Sequence, residues 1–259
     1  MDYQTLKLSH AGGVSRITLD RPPVNAVSLE LLEELRHALD ALETRVETRC
    51  IVLTGAGTKA FCAGADLVKK GGATDDGTRF SDMGRSTLER IETISKPVIA
   101  AIRGWCIGGG FALGMACDVR IASSTAKFRP ADAYIGLVAA WGMSLTGLVH
   151  FIGRNHALDM LILGEDTDAN QAHQLGLVTK VVPDDAFDSE VDRLATKVAG
   201  GAPIVFKAIK ETVRAQYWLS PPEASALERR WAAISNDSED FKEGMAAYRE
   251  RRPPVFKGI

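Results

Sequence analysis

Two glycine turns are the segments of this sequence best suited to chemistry. The first follows the apolar run Cys50 to Thr54 and leads from Gly55-Ala56-Gly57 to Phe61-Cys62-Ala63-Gly64-Ala65-Asp66-Leu67. The second follows Val98 to Ile102 and runs from Gly104 through Gly108-Gly109-Gly110 into an apolar helix. Where a buried strand ends in a glycine turn that opens a helix, unpaired N–H groups point outward with the helix dipole behind them.

Other interpretations of these glycines fail on spacing. A dinucleotide-binding turn counted from Gly108 requires glycine at position 113, where the chain has Leu113, and the Gly-Lys-Ser/Thr of a phosphate loop is absent. The segment Gly142 to Gly147 has one residue too many for a nucleophile elbow, so Ser144 is predicted to be a helix residue. The five histidines are scattered and form no H-E-x-x-H pair, so no metal site is predicted. What remains is a pair of N–H donors for one oxygen, which would stabilise an enolate or a tetrahedral oxyanion.

The elements that would position these turns follow an α/β pattern. Leu6 to Leu8 and Val14 to Leu19 predict a hairpin around Gly12-Gly13, and Ser28 predicts the N-cap of an amphipathic helix. Short apolar runs are typical of parallel strands buried on both faces; they occur at Cys50 to Thr54, Val98 to Ile102, Val119 to Ala122 and, as a further short strand, Leu177 to Val182.

The last part of the chain is predicted to be helical only. Helices are expected at about Pro203 to Tyr217, Pro221 to Ile234 and Ser238 to Arg252, so the chain divides into residues 1–200 and a helical region, 201–259. Such a region packs either across a subunit interface or back on its own domain. The polar segment from Lys69 to Thr78 is expected to be a mobile loop.

Composition narrows the class of protein. The chain has 259 residues and a formal net charge of −2 with mixed signs, so neither nucleic acid nor an anionic membrane is an expected partner. The start lacks the pattern of a secretory signal, and no apolar run is long enough for a membrane span, so a cytoplasmic protein is expected. The four cysteines lie in apolar surroundings without CxxC spacing, which favours buried reduced thiols.

Taken together, the motifs resemble those of the crotonase family, which includes the enoyl-CoA hydratases and isomerases. The resemblance covers nearly the whole chain and rests on Arg21-Pro22-Pro23-Val24-Asn25-Ala26, the segment Phe61 to Leu67, Gly108-Gly109-Gly110 with Cys117-Asp118, Ala126-Lys127-Phe128, Leu175-Gly176-Leu177-Val178 and the Arg-rich end with Phe256-Lys257. It implies a crotonase-like (ClpP/crotonase) α/β spiral of ββα units with a C-terminal helical oligomerisation region. It also implies a homotrimer or a dimer of trimers.

The same resemblance implies the roles of particular residues. The oxyanion donors would be the N–H groups of Ala65 and Gly109, and coenzyme A would enter as part of the substrate, with no separate cofactor. Gly108 and Ala112 would contact the substrate next to the donors. The coenzyme A channel would be lined, mostly through backbone groups, by Val24, Ala26, Ala63, Asp66 and Leu67. Tyr248 and Arg251 match positions that reach a neighbouring subunit's coenzyme A, although Arg251 also fits a solvated charged run.

The reaction depends on which acids are present. Hydratases of the family use two glutamates; the first corresponds here to Ala112 and the second to Asp132, and alanine cannot transfer a proton. One carboxylate suffices to isomerise a double bond through a dienolate, so Asp132 is predicted to be the base, against the alternative of a solvent-facing turn residue. Hydration, thioester hydrolysis, C–C cleavage and a non-catalytic acyl-CoA binder remain alternatives.

Two further features bear on the acyl site. The segment from Gly136 to Met143 carries no acid and is expected to supply apolar walls. Trp141 and Tyr134 are expected to be core residues, with Trp141 also suited to lining the pocket. Asp82 and Glu89 are candidates for a replacement acid, although acids in such a segment more often solvate a helix face.

Overall fold

The computed structural model describes residues 2–67, 74–130, 133–138, 141 and 143–259, with backbone alone at 74–77 and 144. Ten strands and nine α-helices lie in this part of the chain. The strands are β1 (Leu6–Ala11), β2 (Val14–Leu19), β3 (Cys50–Gly55), β4 (Ala60–Cys62), β5 (Val98–Ile102), β6 (Trp105–Ile107), β7 (Val119–Ser123), β8 (Lys127–Arg129), β9 (Thr167–Asp168) and β10 (Lys180–Val182). The helices are α1 (Leu29–Thr44), α2 (Thr74–Thr93), α3 (Gly109–Ala116), α4 (Leu148–Leu163), α5 (Ala169–Gln174), α6 (Phe187–Ala199), α7 (Pro203–Ala215), α8 (Pro221–Asp237) and α9 (Glu239–Glu250).

The larger sheet has six strands in the order β1-β2-β3-β5-β7-β10. The β1–β2 hairpin is antiparallel and every other neighbouring pair is parallel, which confirms the predicted hairpin and the predicted parallel sheet. Both faces of the central strands are covered. Ile51 and Leu53 of β3 pack in one hydrophobic cluster, whereas Cys50 and Val52 pack in a second cluster that includes residues of α6. Burial on both faces explains why β3 and β5 are continuous apolar runs.

Helix α1 forms where its pattern predicts. The side chain of Ser28 accepts a hydrogen bond from the N–H of Leu31 at 3.2 Å and so caps the helix. One face of α1 is fully buried; its members are Leu31, Leu32, Leu35, Ala38, Leu39 and Leu42. Burying each leucine contributes roughly 1.5–3 kcal/mol, so this face holds α1 firmly on the sheet.

A second, smaller sheet carries the two glycine turns. Its order is β4-β6-β8-β9, with β4, β6 and β8 parallel and β9 antiparallel to β8. None of these strands exceeds three residues, which is too short for alternation to be detected in the sequence. The sequence therefore predicts the turns of this sheet but not its strands.

The C-terminal helices pack on the core of their own chain. Lys210 of α7 forms an ion pair with Asp118 at 2.5 Å, and Arg49 donates to the carbonyl of Phe256 at 2.9 Å. Both contacts lie within one chain, and packing of this region across a subunit interface stays a prediction. The division at residue 200 stays a prediction, and none of the described helices is long and apolar enough to cross a membrane.

Some expectations need correction. The loop predicted from Lys69 to Thr78 is wrong at its end, because α2 already begins at Thr74; residues 68–73 lie outside the described part of the chain. Of the strand predicted at Leu177 to Val182, only Lys180–Val182 is extended, since Leu177 and Val178 bond back to Ala172 at the end of α5. All four cysteines are free and buried, as predicted.

Candidate active site

The first turn leaves β4 and is held against the segment from Val24 to Val27. The N–H of Ala63 donates to Val24, the N–H of Val27 to Gly64 and the N–H of Asp66 to Val27, at 3.1, 2.8 and 2.9 Å. The last two bonds form a parallel bridge between Val27 and Ala65. In such a bridge the N–H of Ala65 points away from Val27, toward the opposite side of its own strand.

The second turn leaves β6 and opens helix α3. Gly108 has φ +50 and donates its N–H to the carbonyl of Arg129 at 2.9 Å, which ties the turn to the end of β8. Gly109 is the first helical residue, so its N–H has no partner one turn earlier and lies at the positive end of the helix dipole. A Cβ at Gly110 would lie 2.2 Å from the carbonyl oxygen of Cys62, so only glycine lets α3 approach β4 this closely.

The two turns converge because β4 and β6 are parallel neighbours whose carboxyl ends meet at one edge. A Cβ built on Gly64 would lie 3.6 Å from the nitrogen of Gly109 and 2.9 Å from the carbonyl oxygen of Ile107. Within the described residues, no protein group accepts a hydrogen bond from the N–H of Ala65 or of Gly109. The turn that carries Ala65 therefore lies close to Gly109, and the binding of one oxygen between their N–H groups stays a prediction.

The positions considered for acid–base chemistry differ in their surroundings. Ala112 is 1% exposed, on the first turn of α3, and brings no titratable group. Asp132 lies outside the described residues; the strand that leads to it, β8, ends three residues earlier at Arg129. The candidates for a replacement acid, Asp82 and Glu89, are both exposed on α2.

Trp141 lies directly against the second turn. A Cβ on Gly109 would meet Cζ3 of its ring at 2.7 Å, and the side chain is 9% exposed. Trp141 is thus both buried, as expected, and adjacent to a donor. Tyr134 was expected in the core, and this is wrong: it is 72% exposed and donates to the carbonyl of Ile162 at 2.8 Å. Val138, in the same apolar stretch, is also exposed.

The residues expected to line the coenzyme A channel surround the first turn. Val24, Ala26, Ala63 and Asp66 are half-buried and Leu67 is exposed, so their backbones form an accessible rim. Their lining of a ligand stays a prediction. Tyr248 and Arg251 are exposed at the end of α9, which packs against α8; with 82% of its surface exposed, Tyr248 makes few contacts with its own chain.

Two residues that fix this rim, Arg21 and Asn25, belong to a motif of the sequence, but the motif alone gave neither of them a role. Arg21 forms an ion pair with Asp66 at 2.5 Å and donates to the carbonyl of Ala26 at 3.0 Å, linking the two segments of the rim. Asn25 is buried at φ +54, and its amide donates to the carbonyl of Ala60 at 2.9 Å. The signal in the sequence was an asparagine in a turn, since asparagine tolerates this left-handed conformation and bonds to nearby backbone.

The thiols near the turns are not nucleophiles. Burial raises the pKa of Cys62 and of Cys117 to about 12, and burial raises that of Cys106 as well. A thiol with so high a pKa carries almost no thiolate near neutral pH. In the described part of the chain, no three His, Cys, Asp or Glu side chains come close enough together to hold a metal ion. The chemistry that the described geometry supports is stabilisation of an oxyanion by backbone N–H groups.

Comparison with known proteins agrees with this fold. Residues 9–259 match the family model described as "Enoyl-CoA hydratase/isomerase". The chain is 32% identical to a short-chain-enoyl-CoA hydratase of Clostridium acetobutylicum, over 97% of both chains, and 37% identical to a probable enoyl-CoA hydratase of Rhizobium meliloti, over 99% of both. The crystal structure of an enoyl-CoA hydratase from Bacillus anthracis superposes with a TM-score of 0.95 at 33% identity, covering 99% of this chain and 100% of that one.

Proposed function

Because the chain belongs to the enoyl-CoA hydratase/isomerase (crotonase) family, we propose that it moves the double bond of an enoyl-CoA through a thioester enolate. The observation that carries this proposal is Ala112, which is apolar and buried where a hydratase of the family would place its first glutamate. Fold and family alone leave the reaction open, because many chemistries share one fold. The choice therefore rests on which acids flank the bound thioester.

The reaction needs only one carboxylate. Asp132 takes a proton from C2 of a 3-enoyl-CoA, and the electron pair moves into the thioester to give a dienolate. The N–H groups of Ala65 and Gly109 hold the negative oxygen in place. The proton then returns from the same carboxylic acid to C4, so the double bond now joins C2 and C3 and no atom is gained or lost.

Hydration is the second candidate, and it has its own support. The relatives from Clostridium acetobutylicum and Rhizobium meliloti, which match nearly the whole chain, are both named as enoyl-CoA hydratases. Adding water across C2 and C3 calls for a base to activate the water and an acid to protonate C2. With Ala112 at one of these positions, Asp132 would have to perform both roles in this chain.

Product analysis separates the two candidates. Purified enzyme is given a 3-enoyl-CoA and a 2-enoyl-CoA in separate reactions, and products are followed by mass and by proton NMR. Isomerisation converts the first into the second with no change in mass, whereas hydration adds one water. Water addition that outpaces double-bond migration would refute the isomerase assignment.

A substitution tests the proposed base. Asp132→Asn is expected to lower kcat by roughly 100-fold or more, because general acid–base catalysis contributes about 10²–10⁴-fold. Affinity for coenzyme A thioesters, measured by calorimetry, should stay close to that of the wild type. Asp185→Asn, which changes an exposed acid just before α6, is the matched control and should retain full activity. If the wild type binds thioesters without converting them, the chain is a binder and not an enzyme.

We also propose that residues 201–259 form the oligomerisation region of a homotrimer or a dimer of trimers. Three apolar side chains spaced four residues apart on α7, Val205, Ile209 and Val213, are 39%, 51% and 56% exposed in the single chain. An exposed apolar row on one helix face is typical of an interface. Light scattering should give a mass of three or six times 27.9 kDa, and a mass of 27.9 kDa would refute the proposal.

A further inference from the structure

Trp141 lies between two glycines that belong to different helices. A Cβ on Gly109 of α3 would lie 2.7 Å from Cζ3 and 2.9 Å from Cη2 of the indole ring. A Cβ on Gly84 of α2 would lie 2.3 Å from Cε2 and 2.6 Å from Nε1. All four distances are shorter than 3.0 Å, which real Cβ contacts essentially never are, so the ring occupies its place only because both positions lack a side chain.

The space around the ring is filled on its outer side. The ring of Phe80 lies 5.3 Å from that of Trp141, between centroids, and is itself buried. Phe80 and Gly84 are one helical turn apart, so α2 presents this face to Trp141. The order from the oxyanion donors outward is thus Gly109, the indole of Trp141, and then α2.

This order limits what can be attached to a bound carbonyl. The benzo edge of Trp141 lies against Gly109. A thioester oxygen bound to the N–H of Gly109 therefore places the first acyl carbons close to that edge. Close-packed rings leave no room for further methylenes. An acyl chain that grows toward α2 must therefore stop at the indole.

We propose that Trp141 is the specificity-determining residue that closes the acyl pocket and restricts the protein to short acyl groups. This inference rests on the proposed function to the extent that the thioester carbonyl binds at Ala65 and Gly109. It adds the substrate class, since the size of Trp141 sets the depth of the pocket. It also gives Gly84 a role, because any side chain there displaces the indole.

Binding of saturated acyl-CoAs tests this without turnover. Affinities for butyryl-, hexanoyl-, octanoyl- and decanoyl-CoA are measured by calorimetry. A pocket that accepts each added methylene gains about fourfold in affinity per methylene. The wild type is expected to stop gaining after hexanoyl-CoA. In Trp141→Ala the gain should continue, so that the ratio of octanoyl to butyryl affinity rises by roughly tenfold or more, as pocket discrimination among methylenes allows.

Further variants distinguish a change in the pocket from a general loss of folding. Trp141→Phe keeps an aromatic core residue and should shift the limit in the same direction by less. Gly84→Ala should act in the opposite direction, lowering affinity even for butyryl-CoA, because its Cβ drives the ring toward Gly109. Trp218→Ala, which removes a tryptophan that is 58% exposed, is the control and should leave the profile unchanged.

The outcomes separate this inference from the proposed reaction. Affinity in the wild type that rises steadily through decanoyl-CoA would overturn it, and so would a profile that neither Trp141 variant changes. If the protein isomerises short and long enoyl-CoAs equally well, the role of Trp141 is refuted and the isomerase proposal stands. A protein that shows the limit and its shift but converts no enoyl-CoA refutes the isomerase proposal and leaves Trp141 as the residue that sets chain length.

Discussion

Replacing Gly64 by alanine perturbs the oxyanion site without removing any N–H group. Gly64 has φ +87, and its added Cβ would lie 2.9 Å from the carbonyl oxygen of Ile107. That carbonyl belongs to the peptide just before Gly108, and Gly64 itself precedes Ala65. Relief of the contact must therefore displace one donor turn relative to the other.

The size of the effect follows from two separate costs. An alanine in the left-handed region costs roughly 1–2 kcal/mol in folding free energy. Loss of one oxyanion donor costs about 10²–10³-fold in kcat. We expect Gly64→Ala to lose about 1–2 kcal/mol of stability in urea unfolding, and roughly 100-fold in kcat. Calorimetric affinity for a saturated acyl-CoA should change less than kcat, since the oxyanion donors act more strongly on the transition state than on the bound ground state.

Gly57→Ala is the matched control. Gly57 has φ +75, in the turn between β3 and β4, but an added Cβ there meets nothing within 4 Å. It should lose a similar amount of stability and keep its kcat. If both variants keep their kcat, or both lose it equally, the contact between the two turns has no part in catalysis and the reasoning fails.

Three other predictions concern the framework. Burial raises the pKa of Glu92, so the folded state favours the protonated form of its carboxyl group. The stability of the wild type relative to Glu92→Gln should therefore be greatest below about pH 4 and fall as pH rises through the raised pKa. A difference between the urea midpoints of the two proteins that stays constant with pH would contradict this. Cys62 and the other thiols should not react with a thiol reagent at about pH 8 until the protein is unfolded, and fast labelling of the native protein would disprove their burial. Asn25→Ala should lower the free energy of unfolding by about 1–3 kcal/mol, because it leaves the carbonyl of Ala60 without its buried donor, and an unchanged urea midpoint would argue against that role.

Much of the larger sheet could be predicted because its physics is local in sequence. The buried runs of β3 and β5 are apolar on both faces. The start of α1 is predicted by the N-cap Ser28, and its buried face by leucines at helical spacing. The second sheet could not be predicted in this way. Its strands have two or three residues each and are defined by pairing between distant segments, such as Trp105 with Lys127, which no single segment encodes.

In the candidate site, too, local features could be predicted from the sequence and contacts between distant residues could not. Gly108 and Gly109 could be found in the sequence because a glycine turn before an apolar helix has a local pattern, and the resemblance added Ala65. The ion pair of Arg21 with Asp66 joins residues 45 positions apart, so spacing gives no sign of it. The position of Trp141 against Gly84 is likewise a property of packing between α2 and α3, visible only once the helices are in place.

The central claim is that one thioester oxygen binds between the N–H groups of Ala65 and Gly109. A crystal structure with a bound, unreactive acyl-CoA measures this directly. The carbonyl oxygen is predicted to lie about 2.7–3.1 Å from both backbone nitrogens, with the acyl chain ending at the indole of Trp141. A thioester oxygen bonded to only one of the two nitrogens, or to neither, would contradict the account.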